Sequence, residues 1–337
     1  MERIRLGKTN LMVSRSGFGA IPIQRLSFDE AKILLRKAYD NGINFYDTAR
    51  SYTDSEEKIG YALSDVREQI IIATKTKYGD AKLILANLET SLRNLKTDYI
   101  DIYQFHNPDQ IPTPDDEGYR TLLEAKAQGR IRHISITFHK LDLALKAAAL
   151  DLYDTIQFPL NSLSSDKDLE LIEECKKNDV GLIAMKGLSG GLITNAASTF
   201  AFLRQYENVV PIWGIQRHSE LDEFLAYEKN PPALDAGMWE IIAKDRTELS
   251  GAFCRGCGYC MPCPVGIPIS TAARIIFLLR RSSYQQFLTP EWQNAMRLID
   301  QCKQCGHCRK HCPYQLDTPQ LLKEQRQAYF DFYEQHA

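Results

Sequence analysis

The chain has 337 residues, 44% of them hydrophobic and 25% charged, and its 41 Lys and Arg against 43 Asp and Glu leave a net charge of −2. That length allows one large domain or two, the composition is that of an ordinary globular protein, and the balance of charge gives no electrostatic case for nucleic acid or for a membrane surface. The opening MERIRLGKTN has no apolar core of signal-peptide length, and aliphatic runs such as 274–279 are far too short to span a bilayer.

Taken in order, residues 13–20 (VSRSGFGA) read as a short first strand ending in Gly17 and Gly19. Ser27 can cap a helix over 28–40 that closes at Asn41-Gly42. Apolar runs at 44–46 and 70–74 read as strands, each followed by a charged residue, Asp47 and Lys75. Between them, Ile59, Ala62 and Leu63 put one apolar face on a helix over 55–64. The beat continues with helix 80–95, strand 100–105, helix 121–128, strand 131–137, helix 141–150, strand 155–160 and helix 167–178. Strand 181–185, the glycine-rich loop 187–191, helix 197–206, strand 209–213 and helix 219–227 complete it.

Strands alternating with helices imply parallel neighbours. Eight of each, over about this length, favour a (β/α)8 TIM barrel over an open doubly wound sheet. The open sheet would want G-x-G-x-x-G in its first turn, and Gly17 and Gly19 do not supply that spacing. Barrel chemistry gathers at the carboxyl ends of strands. Asp47, Lys75 and His106 close the second, third and fourth strands, and Tyr52 lies in the loop after the second. A Lys near a Tyr favours the phenolate, and an Asp near the Lys keeps it charged and positioned. The four together make a plausible proton donor at neutral pH; each alone would read as a surface ion pair, a core histidine or an unrelated tyrosine.

With LGKTNLMVSRSGFG at the start, then YDTARSYTDSEEKIGYAL, IIATK and the His of IYQFH, residues 3–228 resemble the aldo-keto reductase family. The resemblance implies a (β/α)8 barrel that reduces carbonyls with NADPH. Tyr52 would be the general acid, Lys75 and Asp47 would tune it, and His106 would orient the substrate carbonyl. It also implies nucleotide contacts. Gly19, Ala20 and Asp47 would lie near the nicotinamide, Gln157 and Asn161 match the family's sixth-strand pattern, with Gln157 meeting the carboxamide, and the loop of Gly187, Leu188 and Gly190 would hold the pyrophosphate. The segment 213–223, with Gly214, Gln216, Arg217 and Glu223, would grip the adenosine end, Gln216 and Arg217 at the 2′-phosphate of NADP, since Arg suits phosphate bidentately. Two places depart from the pattern. Thr137 and Phe138 stand where Ser-Asn is usual, and Phe224 replaces a usual Asn, which bears on the choice between NADP and NAD.

Past the eighth helix the composition changes. KNPPALDAG (229–237) reads as a linker, setting a barrel domain at 1–235 against a second domain at 236–337. Cys254, Cys257, Cys260 and Cys263 precede Pro264, and Cys302, Cys305, Cys308 and Cys312 precede Pro313. Both runs are C-x-x-C-x-x-C and end in Cys-Pro, the spacing of iron–sulfur ligands in two-cluster ferredoxins, where the last Cys serves the other cluster. Structural zinc usually takes separated C-x-x-C pairs instead. Cysteine runs so dense speak for metal rather than disulfides and for a reducing cytoplasm. The ninth, Cys175, reads as a small buried apolar residue. Helices expected at 271–281, 290–301 and 319–334 resemble the helical ferredoxin domains of respiratory iron–sulfur subunits. The leading expectation is an NADPH-dependent reductase of a small-molecule carbonyl carrying two [4Fe–4S] clusters of redox or structural role. The alternative is an iron–sulfur electron-transfer protein whose barrel is a docking or regulatory module. A redox partner protein fits either, because hydride carries two electrons and a cluster takes one.

Overall fold

The computed structural model describes residues 1–249, 253–281 and 284–336. The chain divides into two compact units, Met1–Gly187 with Ala197–Trp239, and Leu188–Ala196 with Glu240–Ala337.

In the first unit a two-stranded antiparallel hairpin, β1 (Arg3–Arg5) and β2 (Met12–Ser14), precedes the barrel. The expected first strand over 13–20 is broken in two, because the Arg15 side chain turns away to donate to the carbonyls of Arg204, Tyr206 and Glu207. Hairpin residues Leu6 and Val13 share a buried cluster with the barrel residues Phe45, Ala73, Ile102, Ile183 and Val210. Eight parallel strands then close on themselves: β3 (Gly17–Gly19), β4 (Phe45–Asp47), β5 (Ile71–Thr76), β6 (Ile100–His106), β7 (Ile131–Thr137), β8 (Thr155–Pro159), β9 (Gly181–Met185) and β10 (Val209–Gly214). Their near-continuous Ile and Val runs are buried on both sides, as parallel strands under helices must be.

The helices α1 (Phe28–Asp40), α2 (Ser55–Leu63), α3 (Ala81–Leu95), α4 (Glu117–Ala127), α5 (Leu141–Ala149), α6 (Asp166–Lys177), α7 (Ala196–Arg204) and α8 (His218–Lys229) follow strands β3 to β10 in turn. Helix starts are written locally. Ser27 and Glu30 form a capping box on α1, Ser165 and Asp168 one on α6, and the Asp80 carboxylate accepts the Leu83 amide on α3. Side chains alternate along β5. Thr74 points out to Glu56, a carboxylate on α2 that is fully buried and also bonded by Ser91 and Arg50, whereas Lys75 points into the barrel.

The second unit is helical: the later part of α9 (Ala236–Glu248), then α10 (Ile269–Ala272), α11 (Ile275–Arg281), α12 (Pro290–Arg297), α13 (His307–Lys310) and α14 (Thr318–His336). Ile267, Ile275, Leu279, Met296, Ile299, Leu322 and Tyr329 form its core together with Cys260 and Cys308. The helix over 271–281 is two pieces meeting at Ala273-Arg274, and α9 runs through residues that sequence alone marks as the end of a linker. The loop Leu188–Ala196, between β9 and α7, belongs to this unit and not to the barrel. Arg274 Nη1 donates to the Gly190 carbonyl at 2.9 Å and Arg281 Nη1 to the Leu192 carbonyl at 2.8 Å, which ties the loop there.

Candidate active site and cysteine cavities

Strand register sets the first site. Gly19 pairs with Asp47, Lys75 with Gln104, His106 with Thr137 and Thr137 with Gln157, so these residues share the carboxyl-end rim of β3 to β8. Lys75 Nζ donates to Asp47 at 2.6 and 2.8 Å and to the Thr48 carbonyl at 2.7 Å. Both charges are almost wholly enclosed, Asp47 at 3% and Lys75 at 2% exposure. Loss of water lowers the Lys75 pKa and raises that of Asp47, and their pairing opposes both shifts. Gln104 and Gln157 donate to the same carboxylate at 3.2 and 3.4 Å. Tyr52, half-buried, comes down over this pair from the loop after β4, with Lys75 Nζ 5.3 Å from its ring centre. The His106 ring meets Tyr52 edge-on at 5.8 Å, and Ser51 Oγ lies 3.4 Å from His106 Nδ1. Burial, then the Lys75 charge, lowers the His106 pKa from 6.5 to about 3, so the ring is neutral at physiological pH. The four residues that sequence reasoning grouped therefore meet in space.

The nucleotide candidates fare unevenly. Gln157 Oε1 is buried and has no hydrogen-bond partner among the described residues, an acceptor suited to an amide N–H of a carboxamide. Asn161 spends its side chain locally, donating to the Lys186 carbonyl at 2.9 Å and accepting the Leu163 amide at 2.8 Å. Thr137 Oγ1 accepts the Asn107 amide at 3.0 Å. Ala20 donates its amide to the Asp47 carbonyl at 2.8 Å, and Gly19 passes so close to Trp213 that a Cβ would lie 3.1 Å from its carbonyl. A Cβ at Gly187 would fall 2.3 Å from the Trp213 ring. Gln216 accepts from Arg25 at 2.9 Å, Arg217 is exposed at the start of α8, and exposed Glu223 accepts from the Tyr227 hydroxyl. Phe224 stacks on Trp213 at 4.4 Å, so the residue that departs from the pattern is a packing residue here. Gly214 closes β10 and is exposed.

Sequence reasoning passed over Gln104, Ser51, Asn107 and His139. His139 is buried, bonded through its amide to Asn107 Oδ1 at 3.0 Å, and its pKa is pushed well down by burial. Gln104 was visible as a polar residue inside an apolar strand; nothing local marked Asn107 or His139.

The cysteines line two cavities in the second unit. One is walled by Cys254, Cys257, Cys260 and Cys312, the other by Cys263, Cys302, Cys305 and Cys308, with Cys260 touching both. Their empty volumes, counted with the open solvent at their mouths, are about 350 and 490 Å³. Among the described residues no group of three His, Cys, Asp or Glu side chains is placed to hold a single metal ion. Burial raises the Cys260 thiol to about 12 and pushes Cys254 and Cys308 up as well, so thiolates here need a cation to hold them.

The two cysteine loops share one backbone. Gly256 and Gln304, before the second Cys of each run, have φ of 63° and 49°; Gly258 and Gly306, after it, have 82° and 72°. Three residues past the last Cys, Gly266 and Gln315 have φ of 81° and 54°, and each donates its amide to that Cys carbonyl. Cys175 is buried on α6, in the first unit.

A closed parallel barrel with a buried Lys–Asp pair beneath a Tyr and a neutral His, and a second unit with twin cysteine loops lining two cavities, define a two-part protein. The chain belongs to the aldo/keto reductase family, whose family model matches residues 16–200, just over half of its length. Residues 253–317 match a 4Fe-4S dicluster domain. The chain is 30% identical over 213 residues to aldo-keto reductase YhdN of Bacillus subtilis, covering 58% of this chain and 64% of that protein, so it spans less than two thirds of that relative's length. It is 30% identical over 230 residues to the NADH-specific methylglyoxal reductase of Escherichia coli, covering 58% and 69%. The fold is shared with an aldo-keto reductase from Klebsiella pneumoniae solved in complex with NADPH, at a TM-score of 0.63 and 19% identity, covering 72% of this chain and 94% of that one. Among the described residues no helix is long and apolar enough to cross a membrane.

Proposed function

We propose that the protein is a nicotinamide-dependent reductase of small-molecule aldehydes or ketones that also holds two [4Fe–4S] clusters. The observation that carries the reading is the Lys75–Asp47 ion pair set directly beneath Tyr52 and His106. A bound NADPH would supply hydride, and the clusters one-electron capacity. Tyr52 gives its phenolic proton to the oxygen of the reacting carbonyl. The Lys75 ammonium stabilises the phenolate left behind, and Asp47 fixes Lys75 through two hydrogen bonds. His106, neutral, orients the carbonyl oxygen without competing for its proton. The orphaned Gln157 Oε1 supports a carboxamide beside Asp47. Gly187, Leu188 and Gly190 would hold the pyrophosphate, and Arg217, an exposed Arg where the adenosine end would lie, favours NADP.

The lining of the two cavities supports crossed ligation. Cys254, Cys257 and Cys260 share one cluster with Cys312, and Cys302, Cys305 and Cys308 share the other with Cys263. The relatives' own names include an NADH-specific enzyme and an NADPH complex, so the family leaves the nucleotide open and Arg217 is the residue on which NADP preference rests. The central test is Tyr52→Phe in anaerobically purified protein, with NADPH oxidation followed on simple aldehydes. Single-turnover reduction falls by about 10²–10⁴-fold while nucleotide binding persists; an unchanged rate removes Tyr52 as the acid.

A further inference from the structure

The twin cysteine loops differ at one informative position. Gln304 takes a left-handed φ of 49°, so that backbone turn does not by itself require glycine. Its counterpart Gly256, at 63°, has the guanidinium of Arg274 where a side chain would be: a Cβ would lie 2.7 Å from Arg274 Cζ and 2.8 Å from Nη1. On its other side the same guanidinium fills the Cβ place of Gly190, 2.6 Å from Nη1, and donates to the Gly190 carbonyl at 2.9 Å. Gly190 follows Ser189 and precedes Gly191, all three at positive φ (49°, 68° and 89°), in a tight turn closed by the Gly191 amide, which donates to the Leu188 carbonyl at 2.9 Å. Arg274 thus lies between the loop of the first cysteine run and the loop read above as the pyrophosphate holder. Its positive charge also reaches the Cys254 sulfur, which accepts the Gly256 amide at 3.4 Å.

We propose that Arg274 is a positioning residue that couples the redox state of the first cluster to nucleotide binding through the Gly190 carbonyl. The proposal rests on the reading of loop 187–191 as the pyrophosphate site and of Cys254, Cys257, Cys260 and Cys312 as ligands of one cluster. When that cluster takes one electron from a low-potential one-electron donor, no bond forms or breaks, and its negative charge rises by one. The added charge draws the guanidinium toward the sulfurs and away from the Gly190 carbonyl, freeing the loop. Arg281, held by Asp245 at 2.9 Å and Glu248 at 2.6 Å, keeps the Leu192 end of the loop fixed, so the movement is confined to its glycine turn. By linkage, bound nucleotide favours the oxidised cluster to the same extent.

The test uses the full chain with both clusters loaded, verified by iron and sulfide content. NADPH affinity is measured by fluorescence titration with the clusters oxidised and then reduced by dithionite, and the midpoint potential of each cluster is followed by electron paramagnetic resonance with and without NADPH. Reduction weakens NADPH binding by about 5-fold, and saturating NADPH lowers the first cluster's potential by about 40 mV, that fold-change at 59 mV per tenfold for one electron. Arg274→Ala abolishes both effects and lowers that cluster's potential in the absence of nucleotide, because a nearby positive charge is gone. Equal affinities in the two redox states of the unaltered protein, or a redox dependence that survives in Arg274→Ala, overturn the coupling. If Arg274→Ala fails to load its clusters, Arg274→Lys is read in its place: it keeps the charge but loses the planar fork, so a loaded variant that retains the full redox dependence overturns the proposal. Absence of NADPH binding in both states overturns the nucleotide reading itself, and the coupling with it.

Discussion

In the barrel, Lys75 and Asp47 are each at most 3% exposed, and each finds its counter-charge in the other. In the helical unit, Cys260 and Cys308 are nearly as enclosed, at 8%, but face cavities. The barrel's buried charges are balanced within the chain, with strand register placing them. The cysteine loops line cavities in a region that matches a 4Fe-4S dicluster domain. Free energy for folding therefore has different sources in the two units: hydrophobic burial and internal pairing in one, ligand coordination added to a small helical core in the other.

The largest effect that can break this comparison is removal of iron. Anaerobic chelation of the full chain, followed by hydrogen exchange, strips protection from 253–281 and 284–336, where the cysteines belong to the core, while β3–β10 remain protected. Protection that is unchanged in the helical unit would mean that its core stands without metal, and the contrast would be lost.

Next in size is the loss of one cluster. Cys263 and Cys302 lie 39 residues apart but line the same cavity. Cys263→Ala and Cys302→Ala should alter the same signal in electron paramagnetic resonance. Damage to different clusters would show that each run holds its own.

How much of this was legible differs by unit for a physical reason. Barrel strands advertise themselves by apolar runs buried on both faces, and a polar residue closing such a run, Asp47, Lys75 or His106, is conspicuous. The two cysteine runs were conspicuous from spacing alone. Conformation was less so. The break at Arg15 depends on carbonyls at 204, 206 and 207, far away in sequence. Helix α9 begins four residues after Pro232, so turn chemistry masked it. The loop 188–196 carries no local sign that Arg274 and Arg281 hold it. Nothing local marked Gly256; Gln304 at the equivalent place, also at positive φ, shows that the backbone there does not require glycine.

A smaller effect sharpens the nucleotide end of the barrel. Arg217 is exposed at the start of α8, and a charge-assisted bond to a 2′-phosphate is worth about 1.5–3 kcal/mol, roughly ten- to a hundredfold in affinity. Arg217→Ala should weaken NADPH by that factor and leave NADH nearly untouched, by fluorescence titration. Equal losses for both would place the 2′-phosphate elsewhere.

The smallest expected effect is an absence, and it tests whether the barrel site is as dry as its geometry implies. His106 is held at a pKa of about 3 by burial and by the charge of Lys75, against 6.5 for the free side chain. The folded protein then binds no proton at His106 between pH 7 and about 4, whereas the unfolded chain takes one up as pH falls through 6.5. The unfolded state binds more protons in that window, so this histidine makes stability rise with pH and fall on acidification, with the loss beginning near 6.5 and growing until the folded group itself titrates. The carboxylates of the chain add their own acid dependence, so a stability curve alone would mix the two. Nuclear magnetic resonance of the His106 ring isolates it: its Cε1–H shift should stay flat from pH 8 to 5, against the sigmoidal change of free histidine added as a reference. A midpoint near 6.5 for His106 would mean that water reaches the ring. An imidazolium would then share the site with Lys75, and His106 would compete with Tyr52 as proton donor instead of orienting the carbonyl for it.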